Sequence, residues 1–244
     1  MSVDLSRMDK GQVAKLFDFS VLPKNTQEAD IRKGCALTRQ YRFAAFYSAS
    51  AYWTPIVIEE LAGYPDIEIG TGIAFAWGAA PSAVKAFEAQ DAVRRGATAL
   101  DMVMNVGALK DGHYDVVLEE LKDFVKAAEA SVTKAILEVG FLSDEEIATG
   151  CKLIAEAGVQ FAKTSTGQFE GPSLEQVLVM KDTLTGTDVK LKVAGVKFPR
   201  PQNAYVFLMA GVDRIGTRDA PAIVDALDQL RELGIVPKRE AVLA

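Results

Sequence analysis

Short runs of apolar and β-branched residues recur along the chain, and longer segments between them repeat apolar residues at the helical spacing. The short runs predict eight strands, at 16–20, 43–47, 67–72, 98–104, 133–138, 159–164, 189–194 and 213–216. The longer segments predict eight helices, at 27–40, 53–63, 81–95, 114–130, 143–157, 173–184, 201–210 and 219–233. Strand and helix therefore alternate along the chain.

Several of the predicted helices carry recognisable end signals. Ser143 and Glu146 form a capping box, and Pro81 and Pro172 stand where helices begin. Glycines stand where helices should end, at Gly63, Gly96, Gly158, Gly211 and Gly234. One strand and one helix together take about 30 residues, the length of a βαβ unit. Without any Pro/Ser-rich linker, this pattern predicts an α/β fold, a single-domain (β/α)8 TIM barrel over 1–244 with a short N-terminal helical extension.

Alternation within the strands places charged side chains inside this predicted barrel. In the run 189–194 the apolar residues share the face that suits the outer helices, which leaves Lys190 and Lys192 facing inward. The same parity turns Asp101 inward, and Lys163 ends its own apolar run. We expect Asp101, Lys163 and Lys192 to meet near the C-terminal ends of three strands, where barrel enzymes carry their chemistry. The alternative is that such lysines extend to solvent at a strand end.

Composition excludes several classes of partner. The chain has 244 residues, 49% of them hydrophobic, and a net charge of −6, which leaves no basic surface for nucleic acid or an anionic membrane. Its polar N-terminus lacks the apolar core of a signal peptide, and no apolar run approaches membrane-spanning length. Cys35 and Cys151 are isolated in the sequence, so we expect a reduced, cytoplasmic protein.

The single histidine narrows the possible chemistry. Ser-His-Asp catalysis would have to use His113, which lies in a predicted turn entering a helix and suits an exposed or capping position. Metal-dependent aldol chemistry usually needs several histidines on the metal. The segment Gly70-Thr71-Gly72 lacks the third glycine of a nucleotide fingerprint. We therefore expect neither a metal nor an organic cofactor.

Two lysines and an acid inside a barrel suit one reaction class. A free lysine with a pKa near 10.4 is mostly protonated at neutral pH and cannot attack a carbonyl. Apolar burial and a second cation both disfavour the charged form, so one lysine can become the nucleophile while its neighbour activates it. The resulting iminium withdraws electrons, and Asp101 would take part in proton transfer, directly or through water. Lys163, Lys192 and Asp101 therefore indicate Schiff-base, or class I, aldol cleavage or condensation.

The chain resembles the deoxyribose-phosphate aldolase family over most of its length, from about 18 to 220, and five segments carry the resemblance. They are Lys163-Thr164-Ser165-Thr166-Gly167, Asp101-Met102-Val103-Met104-Asn105-Val106-Gly107, Lys134-Ala135-Ile136-Leu137-Glu138, Leu191-Lys192-Val193-Ala194-Gly195 and Arg214-Ile215-Gly216-Thr217. The resemblance implies a Schiff base at Lys163, tuning of that amine by Lys192 and proton transfer by Asp101. It also implies a TIM barrel that converts 2-deoxy-D-ribose 5-phosphate to acetaldehyde and glyceraldehyde 3-phosphate.

The same resemblance places substrate binding in the loops after the sixth, seventh and eighth strands. The candidate substrate-binding residues there are Thr166, Gly167, Gly195, Lys197, Gly216 and Arg218. Both loops that usually hold the phosphate depart from the family pattern. Val196 replaces a second glycine and should narrow the backbone site. Arg218 could bind a phosphate or a carboxylate, or could pair with Asp219.

Other departures lie deeper in the predicted barrel. The second strand of the family usually carries a cysteine, whereas here the run contains Tyr47, and Trp77 lies in the changed third segment. Both could shape an altered pocket or simply pack. A related aldolase acting on a different phosphosugar or a carboxylate-bearing sugar therefore stays an alternative, as does a non-catalytic barrel that binds a sugar phosphate. Members of this family often pair, so a homodimer is also expected.

Overall fold

Residues 3–240 are described by a computed structural model of the protein, in which eight parallel strands close into a barrel. The strands are β1 (Phe17–Val21), β2 (Ala45–Ser48), β3 (Glu68–Ile73), β4 (Ala99–Val103), β5 (Val132–Ile136), β6 (Phe161–Lys163), β7 (Lys190–Ala194) and β8 (Arg214–Thr217). They pair in chain order, and β8 closes the barrel against β1. The predicted (β/α)8 barrel is confirmed, with every strand end within two residues of its predicted position.

Helices surround the barrel. They are α1 (Lys10–Ala14), α2 (Glu28–Tyr41), α3 (Thr54–Leu61), α4 (Ser82–Arg94), α5 (Val106–Lys110), α6 (Tyr114–Ala127), α7 (Asp144–Ala157), α8 (Leu174–Leu184), α9 (Arg200–Met209), α10 (Ala220–Asp225) and α11 (Leu227–Glu232). Short 3₁₀ turns lie at Leu5–Arg7, Ala51–Trp53 and Val139–Phe141. The N-terminal turn and α1 precede β1. Within residues 3–240 no helix is long and apolar enough to cross a membrane.

Two predicted helices differ from the structure by more than two residues or are divided, and one short helix was not predicted. The predicted helix 219–233 is divided at Ala226, whose ψ of −9° tightens the turn so that its N–H is shared between two carbonyls. The predicted helix 114–130 ends at Ala127, and Glu129 then takes a left-handed φ of 50°. The short α5 was not predicted, because a single turn is too short to show a periodic pattern. It begins where the Asn105 side chain accepts a hydrogen bond of 3.1 Å from Ala108 N.

The strands separate two packed regions, as their alternation predicted. Leu100, Met102, Leu191 and Val193 are buried in the large core between the barrel and its helices. Inside the barrel lies a much smaller apolar cluster of Ala45, Tyr47 and Ala99 with Val132. The buried Phe161 ring also lies there, beneath Lys134 and Arg214. Charged side chains occupy most of the remaining interior, which is where the candidate site lies.

Candidate active site

Three strands bring one acid and two lysines together inside the barrel. Asp101 on β4 accepts hydrogen bonds at Oδ2 from Lys163 Nζ at 2.7 Å and from Lys192 Nζ at 2.8 Å. Lys163 on β6 lies directly opposite Lys192 on β7, so the strand register holds the two amines near the same carboxylate. All three residues are buried, with exposures of 5% or less. The three candidate catalytic residues are therefore adjacent in the structure.

A second carboxylate also contacts Lys192. Asp18 on β1 places Oδ2 2.6 Å from Lys192 Nζ, so that this ammonium lies between two acids. Gly216 on β8 provides the space, because a Cβ there would lie 2.9 Å from Lys192 Cε. Lys163, by contrast, has a carboxylate contact only with Asp101 among the residues that the structure describes.

These surroundings move the pKa values of the two lysines in opposite directions. Burial has the largest effect on Lys163; Asp101 opposes it and Lys192 reinforces it, and the pKa falls from 10.5 to about 8. Burial alone would lower the pKa of Lys192, but Asp101 and Asp18 outweigh burial and raise it. Lys163 is therefore the amine that can be neutral near physiological pH.

Asp101 stays ionised between the two lysines. Burial alone would raise its pKa, but the charges of Lys163, Lys192 and Lys134 hold the pKa well below its usual range. The same balance between burial and nearby cations lowers the pKa of Asp18. Asp101 is thus an ionised carboxylate that anchors both lysines, and the exchangeable protons reside on the amines.

Below this group the barrel contains a second layer of charges that the sequence interpretation did not assign. Lys134 on β5 contacts Glu68 on β3 at 3.2 Å and donates a hydrogen bond of 2.5 Å to the Tyr47 hydroxyl. Arg214 on β8 contacts Glu68 at 2.9 Å and Asp18 at 3.1 Å. Strand parity, applied to β3, β5 and β8, was the signal that could have found these charged residues.

A cavity of about 340 Å³ opens above the amines at the C-terminal ends of the strands. All nine predicted site residues line it: Asp101, Lys163, Lys192, Thr166, Gly167, Gly195, Lys197, Gly216 and Arg218. Tyr47 and Phe75 lie on its wall, whereas Trp77 lies in a neighbouring apolar pocket. A small carbonyl compound entering this cavity would therefore meet Lys163 at its floor and cations at its rim.

The loop after β6 is held by a buried acid that sequence reasoning also left without a role. The backbone N–H of Thr166 donates to the Glu138 carboxylate at 3.1 and 3.3 Å. Burial raises the pKa of Glu138 against the opposing effect of these hydrogen bonds. Since Thr166 and Gly167 line the cavity, Glu138 places this wall next to Lys163.

The rim carries positive charge, with a pairing that differs from one sequence expectation. Asp219 forms an ion pair with Arg200 on α9 instead of with Arg218. Arg218 is exposed at the cavity and has no carboxylate within ion-pair distance among residues 3–240. Lys197 Nζ donates to the Phe169 carbonyl at 3.3 Å, and Val196 is buried beside it. Among the described residues, the rim therefore offers one guanidinium without a carboxylate partner, after β8, and the loop after β7 carries the buried Val196.

The side chains that metal, histidine or thiol chemistry would need lie away from this cavity or do not form a cluster. Within the described part of the chain, no three His, Cys, Asp or Glu residues are grouped so as to hold a metal ion. His113 is exposed at the N-terminus of α6, and its side chain makes no capping hydrogen bond. Cys35 and Cys151 are buried free thiols in the outer core.

Known proteins resemble the chain over most of its length. Residues 59–225 match the model of the DeoC/LacD family aldolases. A deoxyribose-phosphate aldolase from Bacillus cereus (strain AH820) is 38% identical over 214 residues, covering 87% of this chain and 94% of the relative.

Two solved structures have the same barrel. The structure described as QR15, an aldolase, is 30% identical, covers 91% of this chain and 98% of its own, and superposes with a TM-score of 0.82. The deoxyribose phosphate aldolase from Aeropyrum pernix, described as a unique tetramer, is 26% identical, covers 93% and 95%, and has a TM-score of 0.82.

Proposed function

The chain belongs to the DeoC/LacD aldolase family, and from that premise we propose that it is a class I, metal-independent aldolase with Lys163 as its Schiff-base lysine. The observation that carries this proposal is the state of the Lys163 amine. It is buried at the floor of a cavity, lies 2.7 Å from Asp101, and has a pKa lowered to about 8. An amine in this state is a nucleophile at neutral pH.

Schiff-base formation is the first step. The neutral amine of Lys163 attacks the carbonyl carbon, and a proton passes from nitrogen to oxygen to give a carbinolamine. A further proton allows the hydroxyl to leave as water, and an iminium remains. Lys192, hydrogen-bonded to Asp101 at 2.8 Å, is the nearest proton store, and Asp101 lies between the two nitrogens.

Carbon–carbon cleavage follows from the iminium. A base removes the proton from the hydroxyl on the carbon β to the iminium carbon, and we assign Asp101 to this step, directly or through water. The bond between the α and β carbons breaks, its electron pair moves towards the iminium nitrogen to give an enamine, and the β carbon becomes an aldehyde. Protonation of the enamine carbon and addition of water release the second product and restore Lys163. Condensation is the reverse sequence.

The default substrate is 2-deoxy-D-ribose 5-phosphate, cleaved to acetaldehyde and glyceraldehyde 3-phosphate. Relatives that are named deoxyribose-phosphate aldolases support this choice. The substrate would extend from Lys163 to the rim, with its phosphate near Gly195, Gly216 and Arg218. Thr166, Gly167 and Lys197 would line the path between them.

A second candidate is the same reaction on a different phosphosugar or on a carboxylate-bearing sugar. Val196 is buried where a second backbone approach to phosphate would need glycine, and the exposed guanidinium of Arg218 fits a carboxylate as well as a phosphate. Comparing kcat/KM for the phosphorylated sugar, its unphosphorylated form and sugar acids decides between the two candidates.

Borohydride trapping tests the mechanism. The enzyme is incubated with 2-deoxy-D-ribose 5-phosphate or acetaldehyde, reduced, digested and mapped by mass spectrometry. We expect one added group, on the peptide that contains Lys163, and none without a carbonyl compound. An adduct mapped only to other lysines, or no adduct with either compound, would sink the proposal.

We also propose that the chain is one domain that assembles as a homodimer. A structural relative described as a tetramer supports self-association in this family. Sedimentation velocity at micromolar concentration would show twice the mass of one chain. A single species at the monomer mass would refute the dimer.

A further inference from the structure

The charges inside the barrel form one connected group. Every member lies within 4 Å of at least one oppositely charged member. The four cations are Lys134, Lys163, Lys192 and Arg214, and the three anions are Asp18, Glu68 and Asp101. With all seven ionised the group has one excess positive charge, since four minus three is one.

Burial makes this excess charge costly. Lys134, Lys192, Asp18 and Asp101 are 2% exposed or less, and an uncompensated charge in such surroundings is strongly unfavourable. The group becomes neutral if one cation loses its proton. Arg214 cannot do so, because a guanidinium stays protonated in proteins. Lys192 lies between two carboxylates, so its proton is held more firmly than that of Lys163.

Lys134 is fixed in this group although it does not line the cavity. Its Nζ lies 3.2 Å from Glu68 and 3.9 Å from both Asp18 and Asp101. Its hydrogen bond to the Tyr47 hydroxyl adds a fourth polar contact that fixes the position of the ammonium. Gly70 makes that bond possible, because a Cβ there would lie 2.4 Å from the Tyr47 ring.

From this charge balance we infer that Lys134 and Glu68 are positioning residues that set the protonation state of Lys163 from the closed end of the barrel. With Lys134 charged, three cations already balance the three carboxylates, so the group is neutral without a proton on Lys163. Glu68 acts in the opposite sense, because its negative charge favours that proton. The inference rests on the proposed function, since it concerns the amine that we propose as the nucleophile.

Every packed element contributes a charged or titratable group to the surroundings of Lys163. These groups are Asp18 on β1, Tyr47 on β2, Glu68 on β3, Asp101 on β4, Lys134 on β5, Glu138 after β5, Lys192 on β7 and Arg214 on β8. Among these groups Lys134, Glu68 and Arg214 lie outside the cavity lining, and Glu68 contacts both cations. Of the two cations, Lys134 is the one that also lies within 4 Å of Asp101, the carboxylate that binds Lys163. The Lys134–Glu68 pair can therefore be changed without removing a group that meets the substrate.

Two single variants should shift the acid limb of the profile of kcat/KM against pH in opposite directions. Lys134→Met removes a cation, so Lys163 retains its proton, and the limb moves up by about one pH unit with about a tenfold lower rate at pH 7. Glu68→Gln removes an anion, so the limb moves down. Its shift is smaller, because Glu68 is partly exposed and its charge is screened.

The double variant gives the sharpest readout. Lys134→Met with Glu68→Gln removes one charge of each sign, so the net charge of the group is the same as in the parent enzyme. The acid limb should therefore return close to its parental position. A merely structural role cannot produce opposite shifts that cancel. Circular dichroism confirms that each variant is folded, and Glu68→Gln keeps the test decisive if Lys134→Met alone does not fold.

A matched buried pair outside the barrel serves as the control. Lys85 on α4 and Glu120 on α6 are 1% and 3% exposed and lie 2.7 Å apart. Lys85→Met with Glu120→Gln should leave the acid limb in place. Limbs that do not move in either single variant, or that move in the same direction, would overturn the inference while borohydride adducts still form at Lys163. Absence of the Lys163 adduct in the parent enzyme would instead overturn the proposed function.

Discussion

The interior of the barrel and the rim of its cavity are both charged, but their charges are organised differently. Inside, Asp101 and Asp18 contact cations at 2.6 to 2.8 Å, and each cation there has a carboxylate neighbour. At the rim, Arg218 is exposed after β8, and the neighbouring Asp219 pairs with Arg200 at the start of α9.

This difference separates the reaction from the choice of substrate. Burial and the neighbouring cation Lys192 lower the pKa of Lys163 and so favour its neutral amine, the form that can attack a carbonyl. Exposed rim charges attract an anion and orient it, but screening limits their effect on the amine. Substitutions in the interior should therefore change kcat and its pH dependence, whereas substitutions at the rim should change KM and specificity.

The largest effect should come from removing the nucleophile. Lys163→Leu should abolish turnover, by at least about 10³-fold in kcat, because no iminium can form. The fold should persist, since the substitution removes an amine whose charge is costly to bury. Steady-state kinetics and thermal melting check both points. Lys190→Leu is the matched control at the exposed end of β7 and should keep parental activity.

Removing the acid should have the next largest effect. Asp101→Asn leaves Lys163 and Lys192 facing each other without the carboxylate that joins them. We expect kcat to fall about 10²- to 10³-fold and stability to fall by about 3 kcal/mol. Denaturant melts and single-turnover rates measure these changes. Full activity in Asp101→Asn would show that proton transfer runs through another group.

A substitution at the rim should change substrate binding, measured as KM. Arg218→Gln removes an exposed guanidinium, and we expect about a tenfold higher KM for a phosphorylated substrate with little change in kcat. The unphosphorylated sugar should be unaffected. Arg94→Gln, an exposed arginine on α4, is the control. A large fall in kcat for Arg218→Gln would contradict the separation of rim and interior.

The smallest effect should come from the narrowed loop. Val196→Gly restores the space for backbone to approach an anion, so KM for a phosphorylated substrate should fall about two- to fivefold. Isothermal titration with inorganic phosphate measures the same change without turnover. If phosphate binds no more tightly to Val196→Gly, the loop is not part of the anion site.

The sequence predicted the barrel because each strand-and-helix unit repeats the same apolar pattern, which needs no knowledge of contacts. The alternation of side chains along the strands also predicted that Asp101, Lys163 and Lys192 meet inside the barrel. Lys134 and Glu68 were missed as a pair because they lie on β5 and β3, and only the tilt and register of the closed barrel bring them to 3.2 Å. The Arg200–Asp219 pair was missed for a related reason, since it depends on how two loops fold over the rim.

The pH dependence of borohydride trapping at Lys163 tests the central claim most directly, because it reports the identity and the protonation of the nucleophile together. The adduct on the Lys163 peptide is quantified after brief exposure to acetaldehyde across the pH range. We expect its rate of formation to rise with pH and to be half-maximal near pH 8, since the free amine predominates above its pKa of about 8. A midpoint near that of an ordinary lysine, above pH 10, or an adduct on a different lysine, would contradict it.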